Sequence, residues 1–322
     1  MRIVFLILVS LSLYAGDILT NYRLNGITDI EKQMDMELTS VKYWSDIVRS
    51  KDTSFGYLES YSNLLICDKS EQTLEFYAQE QNGNFKFKKR YNAFTGKLKG
   101  DKVKEGDHKT PIGIYTIVNK LSKDTQLDPF YGPLAFVTSY PNVYDTYKGK
   151  NGSGIWIHGL PEQENRNEFT RGCIVINNQS IECLNRNIDM AKTLIIIDDV
   201  KTKQNAQKEV FASILSQLYA WRYSWIYDEL DNYLNFYSQD FVREDGVAFQ
   251  QFKDYKNRIF KKNERKSIVF NDINVIPYPN SSNIYQINFK ELYKSDSFKF
   301  NGEKTLIIEL DKNKKIKILT EK

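Results

Sequence analysis

Histidine and cysteine are scarce in this chain. Its 322 residues contain two histidines, His108 and His158, and three cysteines, Cys67, Cys173 and Cys183. With so few ligands and no paired-cysteine motif, a structural zinc site is not expected. Three is an odd count, so disulfides cannot use every thiol. A Cys67–Cys183 bond would leave Cys173 as a thiol. No block of like charge exists: 45 Lys and Arg against 41 Asp and Glu give a net charge of +4, spread along the chain. A phosphate-tracking stripe is therefore missing, and nucleic acid is not an expected partner. No apolar run reaches the roughly 20 residues of a membrane span. Residues 3–15 form the apolar stretch that follows Arg2, and residues 1–16 read as a secretory signal peptide, with Leu13 where a small residue is usual. Export would place the chain in the periplasm, where thiols tend to oxidise.

What is present falls into three parts. Residues 17–58 read as a helical arm. Thr28 and Glu31 have capping-box spacing, and Met34, Leu38, Val41 and Trp44 recur at helical intervals. So short an arm cannot bury its own apolar face. It packs either on the next domain or on a second copy, and the second alternative gives a homodimer through the arm. From about residue 60 the period changes to that of strands, with runs at 64–67, 73–78, 85–91, 114–118, 134–138, 154–158 and 194–197. One late helix falls near 181–191. Residues 59–200 thus predict a mostly β domain, closed or sandwiched. Polar residues 201–207 read as a linker into a domain spanning 201–322. There Val210, Ile214, Leu218, Trp221 and Trp225 mark a long helix whose apolar stripe reads as core. A second helix at 247–260 precedes strands at 267–277, 284–289, 306–310 and 316–319. The chain is read as α+β and multidomain.

His158 and Cys173 lie fifteen residues apart in the stretch IWIHGLPEQENRNEFTRGCIVINN. A cysteine attacks as thiolate, and its free pKa of about 8.5 calls for a nearby base. His158 can take the thiol proton and return it to a leaving amine. The carbonyl of Gly159 can hold the imidazole in one tautomer. Gly172 permits a tight turn whose N–H groups, those of Gly172 and Cys173, form an oxyanion hole. Arg171 is either a plain surface charge or a contact for a substrate carboxylate. Trp156 shares a strand face with His158 and either lines the cleft or packs. His108, in a charged glycine-rich loop, reads as a solvated loop residue. The reading calls for neither cofactor nor metal.

These motifs resemble the L,D-transpeptidase catalytic domain, which carries His-Gly, about fifteen residues, then Ser/Thr-x-Gly-Cys. The matching residues are His158, Gly159, Thr170, Gly172 and Cys173. The segment Gly106-Asp107-His108-Lys109-Thr110-Pro111-Ile112-Gly113 is similar to the family's Gly-Asp-x-x-Thr-Pro-x-Gly. The resemblance covers roughly residues 60–200. It implies an acylated cysteine, a histidine base and an oxyanion hole at the Gly-Cys amides. It also implies peptidoglycan stem peptides as partner, with Thr170, Arg171 and Trp156 beside them. Two positions depart from the family: Arg171 stands where His is usual, and Val175 where Arg or Asn is usual. The layout as a whole is similar to the cell-shape-determining L,D-carboxypeptidases with an NTF2-like C-terminal domain. That implies trimming of tetrapeptide stems to tripeptides with loss of D-alanine. The alternatives are an L,D-transpeptidase making cross-links or protein attachments, and a non-catalytic wall-binding protein.

Overall fold

The computed structural model describes residues 2–161, 169–199 and 207–322, with side chains from residue 18 onward. The polar linker read at 201–207 lies, but for Gln207, outside the described residues, and so does the boundary at 200/201.

The chain opens with α1 (Arg2–Glu37), interrupted at Gly26, where φ is 78° and the helical path breaks. The interruption falls two residues before Thr28 of the expected capping box. A turn over residues 38–40 leads into α2 (Val41–Arg49), whose Ser40 cap accepts the Tyr43 N–H. The turn resets the helical face, so the expected stripe splits. Trp44 and Val48 are buried, while Met34 and Val41 face solvent. Trp44 donates its indole N–H to the Leu38 carbonyl at 2.7 Å, and its ring lies 5.0 Å from that of Tyr219. Asp35 accepts from Arg222 at 2.8 Å and from the Tyr227 hydroxyl at 3.0 Å. The arm therefore packs on a domain, and that domain is the C-terminal one rather than the next in sequence.

Strands follow: β1 (Tyr57–Leu58), β2 (Asn63–Asp68), β3 (Thr73–Gln79), β4 (Phe85–Asn92), β5 (Gly113–Ser122) and β6 (Leu134–Thr138). After the short helix α3 (Val143–Tyr147) come β7 (Trp156–His158), β8 (Ile174–Val175), α4 (Asn178–Asn187) and β9 (Thr193–Asp198). Eight of these strands form one sheet in the order β4-β3-β2-β9-β5-β6-β7-β8. Just past β4, Phe94 exchanges both backbone hydrogen bonds with Val175 of β8, at 2.8 and 2.9 Å. The two edges of the sheet meet there, and the sheet curls on itself around Leu65, Cys67, Phe136, Ile157, Ile174 and Ile195. Cys67 is part of this core, where burial pushes its thiol up to about 12. Cys183 lies half-buried on α4, with its sulfur 3.9 Å from the Lys89 ammonium. Both are free thiols, so no Cys67–Cys183 bond joins them.

The C-terminal part contains α5 (Lys208–Ile226), α6 (Leu230–Leu234) and α7 (Phe249–Phe260). These pack on an antiparallel sheet of β10 (Ser267–Pro277), β11 (Ile284–Lys294), β12 (Lys299–Leu310) and β13 (Ile316–Glu321). β1 pairs with β10 and forms the edge of this sheet, so residues 57–58 belong to it structurally. Trp221, fully buried, packs with Trp225, Tyr233 and Phe270, as the apolar stripe on this helix predicts. A separate cluster joins the two sheets: Leu64, Ile114 and Leu194 meet Ile276, Ile307 and Leu319. Beside it Asn142 donates to the Tyr278 hydroxyl at 3.0 Å.

The C-terminal domain also holds a cavity of about 630 Å³ lined by Trp225, Tyr255, Lys256, Glu291, Lys304 and Glu321, among others. The Lys256 ammonium sits 4.3 Å from the Trp225 ring centre, and burial pushes it down to about 8. As pH rises above 8 the native lysine gives up its proton first, while the unfolded chain keeps one until near 10.5. Stability rises with pH wherever the unfolded chain binds more protons. Lys256 therefore contributes an upward slope to unfolding stability between pH 8 and 10. Urea titrations at several pH values should show that slope reduced in Lys256→Met. Trp44→Ala should cost about 3–5 kcal/mol, whereas Met34→Ala should stay within about 0.5 kcal/mol. Equal effects in the same titration would refute the docking of the arm described above.

Candidate active site

The site is built at the β7–β8 edge. β7 runs antiparallel to β6, with His158 opposite Ala135. It runs parallel to β8, with Ile157 opposite Ile174 and His158 opposite Val175. Cys173 stands one residue before β8, where the same register carried back one step sets it opposite Trp156. From the strand rise and spacing, its Cα is roughly 8 Å from that of His158. Paired residues in a sheet share a face, and alternate residues along a strand share one too. Trp156, His158 and Cys173 thus fall on one side, and Ile157 and Ile174 on the core side. Cys173 is half-buried, with its sulfur 3.4 Å from the Gly154 carbonyl oxygen.

His158 is 1% exposed, and its Nδ1 lies 2.8 Å from the carbonyl oxygen of Gly159. A carbonyl only accepts, so Nδ1 carries the proton and Nε2 of the neutral ring keeps its lone pair. That leaves Nε2 as the proton acceptor. The ring is fixed further by Tyr131, whose ring meets it edge-on at 5.0 Å and also lies 4.7 Å from Trp156. The Gly159 carbonyl is itself held. Its own N–H donates to the Tyr131 carbonyl at 3.1 Å. Asn178 at the start of α4 grips the next residue, accepting the Leu160 N–H at 2.7 Å and donating to the Leu160 carbonyl at 2.9 Å. A Cβ on Gly159 would lie 2.4 Å from Asn178 Oδ1 and 2.9 Å from Pro133 Cδ.

The turn before Cys173 is equally confined. Gly172 is buried with φ 139°, a region open to glycine. A Cβ there would meet the Lys109 carbonyl oxygen at 2.9 Å. The Thr170 hydroxyl accepts the Gly172 N–H at 2.9 Å and donates to the Cys173 carbonyl at 2.7 Å. Two expectations change accordingly. The Gly172 N–H, read as an oxyanion donor, is directed at Thr170. Thr170, read as a substrate contact, is 5% exposed and braces the turn. Arg171 stands exposed on the same turn, and Trp156 is half-buried beside Tyr131. Val175 is fully buried, its backbone paired between His158 and Phe94. His108 has φ 56° and sits outside any helix or strand, a loop residue.

The Gly-Asp-x-x-Thr-Pro segment supports the turn from beneath. Asp107 pairs with Lys102 at 2.9 Å and accepts the N–H groups of Val103, Lys104 and Lys109. Partial burial pushes its carboxyl up, but these donors together hold it well below the usual carboxylate range. Sequence reading places Thr110 in a motif without a role. Asn178 carries no motif signal, and Tyr131 reads from the sequence as the start of a Tyr-Gly-Pro turn.

A curled sheet with a thiol, an imidazole and a glycine turn at one edge defines an L,D-transpeptidase-type enzyme domain. The L,D-transpeptidase catalytic domain (YkuD) model matches residues 62–197, and the Cds6 C-terminal NTF2-like domain model matches residues 213–322. Among solved structures, the helical cell shape determining protein Pgp2 from Campylobacter jejuni is 36% identical, with a TM-score of 0.80, over 88% of this chain and 99% of that one. A point mutant of Pgp2 gives 35% identity and a TM-score of 0.82 over 89% and 99%. Bd1075 from Bdellovibrio bacteriovorus is 25% identical, with a TM-score of 0.66, over 84% and 97%. No curated protein matches the chain. The chain belongs to the L,D-transpeptidase-domain family, in the group that joins this domain to a Cds6-type NTF2-like domain. It is a peptidoglycan-modifying enzyme by kind.

Gly159→Ala should displace the carbonyl that holds His158 Nδ1. Misplacing a catalytic group by about 1 Å costs on the order of a hundredfold. Alkylation of Cys173 by iodoacetamide at neutral pH, read residue by residue by mass spectrometry, should slow by at least about tenfold in this variant. An unchanged rate would detach the Gly159 carbonyl from activation of the thiol.

Proposed function

We propose that the chain is a cysteine L,D-carboxypeptidase that trims peptidoglycan tetrapeptide stems to tripeptides, acts in the periplasm and influences cell shape. The observation that carries this reading is the Nδ1–Gly159 hydrogen bond on a ring that, by the β7–β8 register, shares a sheet face with Cys173. The likeness to cell shape determining proteins over nearly their full length supports the influence on cell shape.

Cys173 gives its proton to Nε2 of His158, and the thiolate adds to the carbonyl carbon before the terminal D-alanine. The carbonyl oxygen takes the negative charge in a tetrahedral intermediate, held by the Cys173 N–H. Collapse breaks the C–N bond, the imidazolium protonates the leaving amine, and D-alanine departs. Water, deprotonated by Nε2, then attacks the thioester. The tripeptide carboxylate leaves and the thiol recovers its proton. Arg171 on the exposed turn pairs with the free stem carboxylate, and Trp156 walls the cleft. No step calls on a metal or cofactor. Substitution of a second stem's amine for water would give the transpeptidase outcome. The exposed apolar side chains of α1, such as Leu24, Ile27 and Met34, supply the surface for a homodimer through the arm.

Disaccharide-tetrapeptide incubated with the protein should yield tripeptide and free D-alanine by mass spectrometry. A cross-linked dimer would favour the transpeptidase, and no product would favour a wall-binding role. Cys173→Ala and His158→Ala should each abolish release with the fold retained by circular dichroism. Arg171→Ala should raise KM about tenfold or more, the scale of one charged hydrogen bond, with kcat little changed.

A further inference from the structure

We infer that Thr110, rather than the Gly172 N–H, completes the oxyanion site: its hydroxyl fixes the peptide unit that aims the Cys173 N–H at the substrate. This rests on the acyl-transfer reading above and deepens it.

Thr110 is fully buried. Its hydroxyl accepts the Gly96 N–H at 2.8 Å and donates to the Gly172 carbonyl at 2.8 Å. The Gly172 carbonyl and the Cys173 N–H belong to one peptide unit. In a planar trans peptide these two groups point to opposite sides. With the carbonyl tied to buried Thr110, the Cys173 N–H points the opposite way, out of that buried contact. The same bond polarises the peptide. A carbonyl that accepts a hydrogen bond makes its own N–H a stronger donor. Thr110 thus sets both the direction and the strength of that donor.

The surroundings leave the threonine little freedom. A Cβ on Gly96 would lie 2.4 Å from the His108 carbonyl oxygen and 2.7 Å from the Thr110 nitrogen. A Cβ on Gly172 would lie 2.9 Å from the Lys109 carbonyl oxygen. Segment 108–110 is therefore wedged between two glycines, and Thr110 bridges them. On the other side Thr170 holds the Gly172 N–H and the Cys173 carbonyl. Three consecutive peptide units at the nucleophile are each fixed by a buried hydroxyl. Thr110 touches neither substrate nor reacting atoms, so it is a positioning residue.

The test compares Thr110→Val and Thr110→Ser with the wild-type protein. Losing an oxyanion donor costs about 10²–10³ in kcat, so a misaimed one in Thr110→Val should lower kcat at least tenfold with KM within about twofold. Iodoacetamide alkylation of Cys173, which forms no oxyanion, should keep its rate and pH profile. A peptide aldehyde, whose hemithioacetal oxygen occupies the oxyanion position, should bind more weakly by the same factor as kcat/KM. Thr110→Ser keeps the hydroxyl and should stay within about threefold of wild type. A Thr110→Val variant with full kcat overturns the inference, as does one whose alkylation slows in step with turnover. Should the valine variant not fold, Thr110→Ser decides alone: a serine variant that loses about tenfold or more in kcat overturns the inference. Absence of turnover in the wild-type protein would instead overturn the functional reading.

Discussion

The parallel register of β7 and β8 is the constraint on which the site depends. It aligns Cys173 with Trp156 and Val175 with His158, so nucleophile and base share a face. A slip by one residue would send the thiol into the core, because side chains alternate across a strand. β8 is only two residues long and cannot hold that register by itself. Its second edge is secured by the two hydrogen bonds between Val175 and Phe94, which close the sheet. Curling of the sheet is therefore a condition of the chemistry. An open sheet would leave β8 with one neighbour and no fixed position for Cys173.

Within that frame the backbone does the positioning. The Gly159 carbonyl selects the tautomer of His158, and Gly172 turns the chain into the nucleophile. Both glycines are required by crowding, since a Cβ at either would press against fixed neighbours. Hydroxyls then hold the individual peptide units. This is preorganisation in a literal sense: donors and acceptors are oriented before substrate arrives, so little reorganisation is needed as charge develops. Neither Arg171 nor Val175 contributes a side chain to that preorganisation. Arg171 is exposed and the Val175 side chain is buried, so neither side chain orients the reacting pair, while Val175 acts through its backbone bonds to Phe94.

Much of this is legible in the sequence where one residue type has one use. Two histidines, one glycine-cysteine pair and the His-Gly spacing leave few ways to assemble a thiol site, and strands such as 134–138 and 267–277 can be read to the residue. What escapes is set by tertiary contact. β8 is too short to show a period, and α3 and α6, at five residues each, are too short for a helical stripe. The apolar stripe of the arm looks continuous because spacing alone does not register the turn at 38–40. Thr170 looks like a substrate contact because it neighbours the nucleophile in sequence, yet its hydroxyl is consumed by Gly172 and Cys173. Which way a hydroxyl points depends on what closes over it, and spacing carries no trace of that.

One further signal in the sequence points beyond a single domain. The runs Leu64-Leu65-Ile66-Cys67 and Leu194-Ile195-Ile196-Ile197 do not alternate polar with apolar, as a strand with one wet face would. Such runs belong to strands covered on both sides. One face of β2 and β9 fills the catalytic core through Leu65, Cys67, Ile195 and Ile197. The other face, with Leu64 and Leu194, meets Ile276, Ile307 and Leu319 of the C-terminal sheet. Ile114 and Asn142 extend that contact to Tyr278. The two sheets thus share a core, and severing them would expose an apolar face at the centre of the catalytic sheet. The central strands β2, β9 and β5 fill the catalytic core through one face and attach the second domain through the other.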